Sequence, residues 1–320
     1  MPKAVRVRQT GGPEALELVD VEVPAPGDGE VAVDVQAAGV NYIDTYHRSG
    51  MYPLETPFGL GLEGAGVVTA VGPGVTDHKV GDRVSWYSVQ GSYAEKIVLP
   101  TSDAISVPDG VDTDTAAALL LQGVTAHYLV ASTYEVKEGD PILVHAAAGG
   151  VGLLLVQLAK ARGARVLATV STPEKEELAR EAGADEVVGY EDFEKHAREF
   201  TNGEGMAAVY DGVGKTTFDG SLKSVRRRGF LVLFGASSGA VPPVDPQRLN
   251  AQGSIYLTRP TSKDYSSPEE VRWRTTELFN EVKAGTLSVR IGGRYPLGDA
   301  RKAHEDLQAR KTTGKLLLIP

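Results

Sequence analysis

Residues 141–170 confine this chain to a narrow set of folds. A short apolar run, Ile142 to Ala146, passes into three glycines, Gly149, Gly150 and Gly152. Beyond them Val151, Leu154, Leu155 and Leu158 recur at i, i+3, i+4 and i+7, the stripe of a helix that packs on one face. Gly163 stands where a helix end favours a left-handed residue, and a second apolar run, Arg165 to Val170, follows at once. Strand, glycine turn, helix and strand within about thirty residues make a βαβ unit of the kind that seats a dinucleotide. Its glycines let the backbone approach a pyrophosphate, and the helix N-terminus offers unpaired N–H groups and partial positive charge. A turn with only a structural role is the alternative. The two flanking strands and the helix favour the cofactor seat.

The alternation continues. Thr172 is an N-cap with Pro173 at the first helical position, and that helix closes at Gly183. Strands are expected at Glu186–Tyr190, Ala207–Asp211, Phe230–Phe234 and Ser254–Thr258, with helices at Glu191–Phe200 and Phe218–Arg227. Six strands with helices between them match both halves of a dinucleotide domain, an α/β doubly wound parallel sheet of Rossmann type. The N-terminal third reads differently. Val31, Val33 and Val35 alternate with Ala32 and Asp34, and further short strands (Gly66–Val71, Arg83–Tyr87, Tyr93–Leu99, Ile105–Val107) are separated by glycine and proline turns. That spacing predicts a small barrel-like β domain. A helix from Asp112 to Ala131 leads into the α/β region, and the C-terminal part holds helices at Pro268–Ala284 and Gly298–Arg310, a turn at Gly292-Gly293 and a last strand. At 320 residues the chain is long for one core, so two domains are expected.

Charge and composition narrow the partners. With 33 basic against 42 acidic residues the formal charge is −9, which opposes binding to nucleic acid. The one cationic run, Arg226-Arg227-Arg228, reads as a solvated helix end. No apolar run approaches the roughly 18 residues of a membrane span, and the N-terminus lacks the apolar segment of a signal peptide, so a cytoplasmic protein without membrane association is expected. The absence of cysteine excludes disulfides and thiol nucleophiles.

The turn opens on Ala146 rather than glycine, and its continuation Ala146-Ala-Ala-Gly-Gly-Val-Gly152 resembles the quinone oxidoreductase branch of the medium-chain dehydrogenase/reductase family. Other segments carry the same resemblance: Val40-Asn-Tyr-Ile-Asp-Thr-Tyr46, Arg48-Ser-Gly-Met-Tyr-Pro53, Gly81-Asp-Arg-Val84, Tyr210-Asp-Gly-Val-Gly214, Thr258-Arg-Pro260 and the closing Gly314-Lys-Leu-Leu-Leu-Ile-Pro320. The resemblance spans nearly the whole chain. It implies a GroES-like catalytic domain at 1–123 and 263–320 around a dinucleotide-binding domain at 124–262, NADPH as cofactor, a quinone as acceptor and a homodimer. It also implies cofactor contacts from Tyr42, Ile43, Asp44, Tyr128, Gly149, Gly150, Val151, Ser171, Lys175, Tyr190, Val213, Phe234, Ser237 and Arg310. Ser132 and Ser171 depart from close relatives, which often carry lysine and glycine there.

A catalytic zinc is not expected. Asn41 and Leu62 stand where zinc-dependent relatives carry cysteine and histidine ligands, and the six histidines show no i, i+4 pair. His145, at a strand end, reads as a packed core histidine, and Glu63 as structural. Without a metal, reduction of an electron-poor acceptor is more plausible than alcohol oxidation. Asn41, Tyr46 and Tyr52 are the candidate groups for orienting acceptor oxygens, in a cleft that the resemblance places between the domains. The plainer alternative is a packed Tyr46 and a surface Tyr52. His47 reads as a surface residue. NADPH is expected over NADH because the second strand ends Ala168-Thr-Val-Ser171 with no acid for a ribose hydroxyl, while Ser171, Lys175 and Tyr190 can meet a 2′-phosphate. Lys175 as an ordinary solvated helix residue is the alternative. Two other functions stay open: reduction of α,β-unsaturated carbonyls on the same fold, and a non-catalytic NADPH-binding role.

Overall fold

The computed structural model describes residues 1–320 and divides into two compact units, 1–121 with 279–320, and 122–278. The first unit begins with β1 (Lys3–Val7), β2 (Leu16–Asp20), β3 (Glu30–Val40), α1 (Tyr42–Ser49), β4 (Phe58–Gly59), β5 (Glu63–Val71), β6 (Arg83–Trp86), β7 (Lys96–Pro100) and β8 (Ile105–Ser106). The chain crosses to the second unit inside α2 (Thr113–Tyr128). There follow β9 (Pro141–Val144), α3 (Gly150–Ala161), β10 (Arg165–Thr169), α4 (Pro173–Glu181), β11 (Glu186–Val188), α5 (Phe193–Phe200), β12 (Met206–Asp211), α6 (Phe218–Ser224), β13 (Val225–Leu233), α7 (Gln247–Ala251) and β14 (Tyr256–Thr258). It returns inside α8 (Pro268–Ala284) and ends with β15 (Ile291–Pro296), α9 (Ala300–Gln308) and β16 (Lys315–Ile319).

In the first unit β3 is the hub of a seven-stranded sheet ordered β15-β16-β3-β5-β6-β8, with β7 also paired to β3. Alternation explains the strand: Val31, Val33 and Val35 are buried while Asp34 and Gln36 are exposed. A smaller sheet, β2-β1-β4, completes the unit. Val5, Val33, Leu60, Trp86, Tyr93 and Leu316 belong to one apolar core.

The second unit is a six-stranded parallel sheet ordered β11-β10-β9-β12-β13-β14. Numbered from β9, that order is 3-2-1-4-5-6, the doubly wound arrangement expected from the alternating pattern. Strand order reverses at β9, whose carboxyl end runs into the glycine turn. β14 lies at the sheet edge, with Tyr256 half exposed and its ring stacked on Phe230, centroids 4.6 Å apart.

Several expectations are corrected. Arg226–Arg228 do not end a helix: α6 stops at Ser224, and the arginines fall where β13 shifts register against β12, with Arg228 at φ +58°. Gly292 and Gly293 lie within β15, where a Cβ on Gly292 would sit 1.8 Å from the Thr313 carbonyl oxygen, so glycine serves close strand approach. Helix α2 and the π-helical turn Leu129–Thr133 form one 21-residue span, long and apolar enough by composition to cross a bilayer and mostly buried, as a core helix is. The two compact units change over inside α8, between Leu278 and Phe279. The fully buried Arg274 guanidinium donates to His127 Nδ1 (3.0 Å), Ser132 Oγ (3.0 Å) and Glu270 Oε1 (2.7 Å).

Candidate functional site

In the second unit the glycine turn is built by backbone crowding. Ala146 adopts φ +52°, a left-handed conformation that costs less for glycine, the residue more usual at this position. The N–H of Gly149 donates to the Ala146 carbonyl at 2.9 Å, and Gly149 is the extended N-cap of α3. A Cβ on Gly152 would lie 2.4 Å from that same carbonyl oxygen and 2.7 Å from the Ala147 Cα. The cradle therefore requires glycine at 152. Gly149, Gly150 and Val151 are part-exposed at the first turn of α3, where helix N–H groups lack intrahelical partners. The residues present fit a pyrophosphate there.

The walls of this cradle are tied to one another. The Ala146 N–H donates to the Tyr190 hydroxyl at 3.1 Å. Lys175 Nζ donates to Ser171 Oγ at 3.4 Å, so the three groups read from the sequence as a phosphate site include one direct contact. Thr172 caps α4 by accepting from the Lys175 N–H, with Pro173 at N1. Asp211 ends β12 and accepts from the N–H groups of Val213 (2.8 Å) and Gly214 (2.9 Å), fixing the loop that follows. The Phe234 N–H donates to the Asp211 carbonyl and that of Ser237 to Gly212. His145 is a buried core histidine between Thr169 Oγ1 (2.8 Å) and Ser221 Oγ (2.9 Å), and burial holds its imidazole below the ordinary histidine value. Tyr128 is buried against Tyr265, rings stacked at 4.6 Å, and burial pushes its phenol up to about 12. Ser132 is spent on Arg274.

In the first unit α1 has two faces. Tyr42 and Tyr46, one turn apart, lie edge to face at 5.6 Å, and Tyr46 meets Tyr52 in the same manner at 5.2 Å. The Tyr52 N–H donates to the Tyr46 carbonyl at 3.1 Å, which holds the loop against the helix end. Tyr42 and Tyr46 are half-buried, as is Ile43, and Tyr52 is exposed. Burial raises the Tyr42 phenol, with the positive charge of Arg310 opposing. His47 is not a surface residue: it is half-buried beside Tyr52, its Nδ1 is buried without a partner, and desolvation lowers its pKa.

Asn41 and Asp44 belong to the other face. Asn41 Nδ2 donates to Glu63 Oε2 (3.0 Å) and Gly39 O (3.3 Å), and its Oδ1 accepts from Lys315 Nζ at 2.7 Å. With its amide committed and 3 % of its surface exposed, Asn41 is the N-cap of α1 rather than a group turned to an acceptor. Asp44 is fully buried and accepts from the Asn41 N–H (2.8 Å) and the Tyr93 hydroxyl (2.7 Å), so it is not an open cofactor contact. Lys315, unread from the sequence, pairs with Glu63 inside the core, and Glu63 Oε1 also accepts the Leu121 N–H at 2.7 Å. Burial lowers the Lys315 ammonium, and Glu63 opposes the shift. No group of three or more His, Cys, Asp or Glu side chains is placed to hold a metal ion, and Leu62 contributes no ligand atom.

Known proteins frame this geometry. Residues 27–109 match the alcohol dehydrogenase GroES-like domain, and residues 150–271 the zinc-binding dehydrogenase family. A quinone oxidoreductase of Pseudomonas aeruginosa is 46 % identical over 100 % of both chains. A 2-haloacrylate reductase of Burkholderia is 40 % identical over 100 % of this chain and 99 % of its own. A mycobacterial protein solved in complex with NADPH is 53 % identical, covers 100 % of both chains and superposes with a TM-score of 0.97.

The buried ion pair gives a stability test. Lys315→Met strands the Glu63 carboxylate in the core, which costs about 3–5 kcal/mol. Denaturant unfolding is expected to show that loss, with part recovered in Lys315→Met/Glu63→Gln. A loss below about 1 kcal/mol, the scale of an exposed pair, would contradict it.

Proposed function

Because the chain belongs to the quinone oxidoreductase branch of the medium-chain dehydrogenase/reductase family, we propose that it reduces quinones with NADPH and without a metal. NADPH, when bound, supplies the hydride that together with one proton converts a quinone to its hydroquinone. The chain's own residues bind and orient. Gly149, Gly150 and Val151 present backbone N–H groups to the pyrophosphate, and Gly152 lets the turn close beneath it. Ser171, Lys175 and Tyr190 take the 2′-phosphate, while Tyr128, Val213, Phe234 and Ser237 bound the rest of the cofactor. Tyr42, Ile43 and Arg310 are further cofactor contacts in this reading. Tyr46 and Tyr52 donate hydrogen bonds to the acceptor oxygens, and Asn41 acts through the helix it caps.

The observation that carries this reading is a glycine cradle joined to a strand end that lacks an acid and places a lysine beside Ser171. Reduction of an α,β-unsaturated carbonyl is the second reading, favoured by the 2-haloacrylate reductase among the relatives. The same phenols would serve a single carbonyl oxygen. A role on nucleic acid is disfavoured by the charge of −9. We also propose a cytoplasmic homodimer, since β14 leaves an edge carrying the half-exposed Tyr256. A monomeric mass in light scattering would remove that part.

Two measurements test the assignment. Lys175→Ala is expected to weaken NADPH by about 10- to 150-fold, because a charge-assisted contact contributes roughly 1.5–3 kcal/mol, and to leave NADH nearly unchanged. Equal loss of both cofactors would refute the phosphate role. Tyr46→Phe/Tyr52→Phe is expected to lower turnover across a panel of quinones and enones, by a factor of several for each bond of about 0.5–1.5 kcal/mol, with NADPH binding intact. Unchanged turnover would reject the tyrosines.

A further inference from the structure

The polar face of α1 is joined to a chain of hydrogen bonds whose direction is set by chemistry. Arg48 is 2 % exposed, and its Nη1 lies 2.9 Å from His304 Nδ1. A guanidinium can only donate, so Nδ1 accepts and the neutral ring carries its proton on Nε2. Burial and the Arg48 charge hold His304 down to about 3, which keeps that ring neutral. Nε2 lies 3.2 Å from the Tyr93 hydroxyl and donates to it, and Tyr93 donates in turn to Asp44 Oδ2 at 2.7 Å. The Asn41 N–H reaches the same oxygen. Donors thus run from Arg48 near the end of α1, out through α9 and the segment before β7, and back to Asp44 in its first turn.

We propose that this one-way donor chain sets the orientation of the aromatic face of α1, which makes Tyr93 and His304 positioning residues for Tyr42 and Tyr46. The proposal rests on the reading of Tyr46 as an acceptor-orienting group. Residues 41, 44 and 48 share the face opposite the tyrosines, so fixing them fixes the helix roll. Tyr93 and His304 reach α1 through hydrogen bonds to Asp44 and Arg48. Their effect passes through Asp44 and Arg48.

Asp44 gives the chain a pH signature. Its carboxyl faces the Tyr93 phenol, the Lys315 ammonium of β16 and the Glu63 carboxylate of β5, with His304 and Arg48 behind Tyr93. Burial pushes it up to about 7 from 3.8, while Tyr93, Asn41 and Lys315 oppose the shift and Glu63 adds to it. Its Oδ1 is buried without a partner. Opening α1 to water returns the carboxyl toward its ordinary value, so the closed form holds its proton more tightly. Opening therefore becomes easier as pH rises from about 4 to about 7 and is independent of pH above that. The charge-assisted bond from Tyr93 matters most on the alkaline side.

Hydrogen exchange of residues 42–50, corrected for intrinsic rates, reads this directly at pH 5 and pH 8, with residues 150–161 as internal reference. Tyr93→Phe is expected to speed exchange in α1 about tenfold or more at pH 8 and less at pH 5, leaving the reference unchanged. It should also raise KM for 1,4-benzoquinone several-fold, and by a larger factor than the NADPH Kd, because Tyr42 is one of many proposed cofactor contacts. Asp44→Asn, which keeps the acceptor oxygen, is expected to abolish the difference between the two pH values, and it decides the matter if Tyr93→Phe does not fold. Unchanged exchange in Tyr93→Phe, an equal change at both pH values, a pH step surviving in Asp44→Asn, or an NADPH affinity that falls by as large a factor as the quinone affinity would each overturn the proposal. A wild type that reduces neither quinones nor enones would defeat the proposed function, and the exchange results would still decide the donor chain.

Discussion

A lysine ammonium buried against a glutamate is stable where further hydrogen bonds offset its desolvation, and that requirement organises the first unit. Lys315 lies on the last strand, Glu63 at the start of β5, and both press against β3 at Gly39. A Cβ there would lie 2.4 Å from Glu63 Oε2 and 2.8 Å from the Ala117 carbonyl oxygen. Of the two ammonium hydrogens outside the pair one goes to Asn41, and the second carboxylate oxygen accepts the Leu121 N–H. Meeting those valences orients the Asn41 amide, and Asn41 caps the helix that carries Tyr42 and Tyr46. An electrostatic necessity in the core thus anchors the start of the helix that carries an aromatic surface.

The second unit works through a different constraint. Its turn is made of backbone atoms brought within van der Waals contact, so the decisive property is the lack of side chain at Gly152. Ala146 tolerates its left-handed conformation because Gly149 returns a hydrogen bond to its carbonyl and Tyr190 accepts its N–H. Asp211 fixes the neighbouring loop through two N–H groups and the Thr217 and Ser221 hydroxyls. A cradle that is already ordered loses little conformational freedom when an anion arrives.

What could be read from the residues follows from how local the signals are. The βαβ unit at 141–170 was legible because glycine spacing and apolar periodicity act within a few residues, and the doubly wound parallel sheet followed from the regular alternation of strands and helices. Helix α1 was not, since Val40-Asn-Tyr-Ile-Asp-Thr-Tyr46 has no apolar stripe: its buried face is Asn41, Asp44 and Arg48, residues that usually mark a surface. An amide such as Asn41 suits an acceptor oxygen and the resemblance points Asp44 to a cofactor, while the partners that hold both, Lys315, Glu63 and Tyr93, are distant in sequence. Arg226–Arg228 misled for the converse reason. A cationic run suits a helix end, and only the register shift between β12 and β13 shows that it belongs to a strand. The spacing of Ser171 and Lys175 needed no tertiary knowledge, and their side chains meet.

Transfer from a seated cofactor to an oriented acceptor has a direct signature in the hydrogen that leaves. Single-turnover oxidation of NADPH deuterated at one or the other face of nicotinamide C4, with 1,4-benzoquinone as acceptor and a chelator present, reports it. One epimer is expected to react more slowly than unlabelled NADPH and the other at the same rate, because fixed binding on both sides allows transfer from one face only. Equal slowing with both epimers, or oxidation that begins only after a metal or a flavin is added, would contradict a metal-free reduction organised by the glycine turn and the tyrosines of α1.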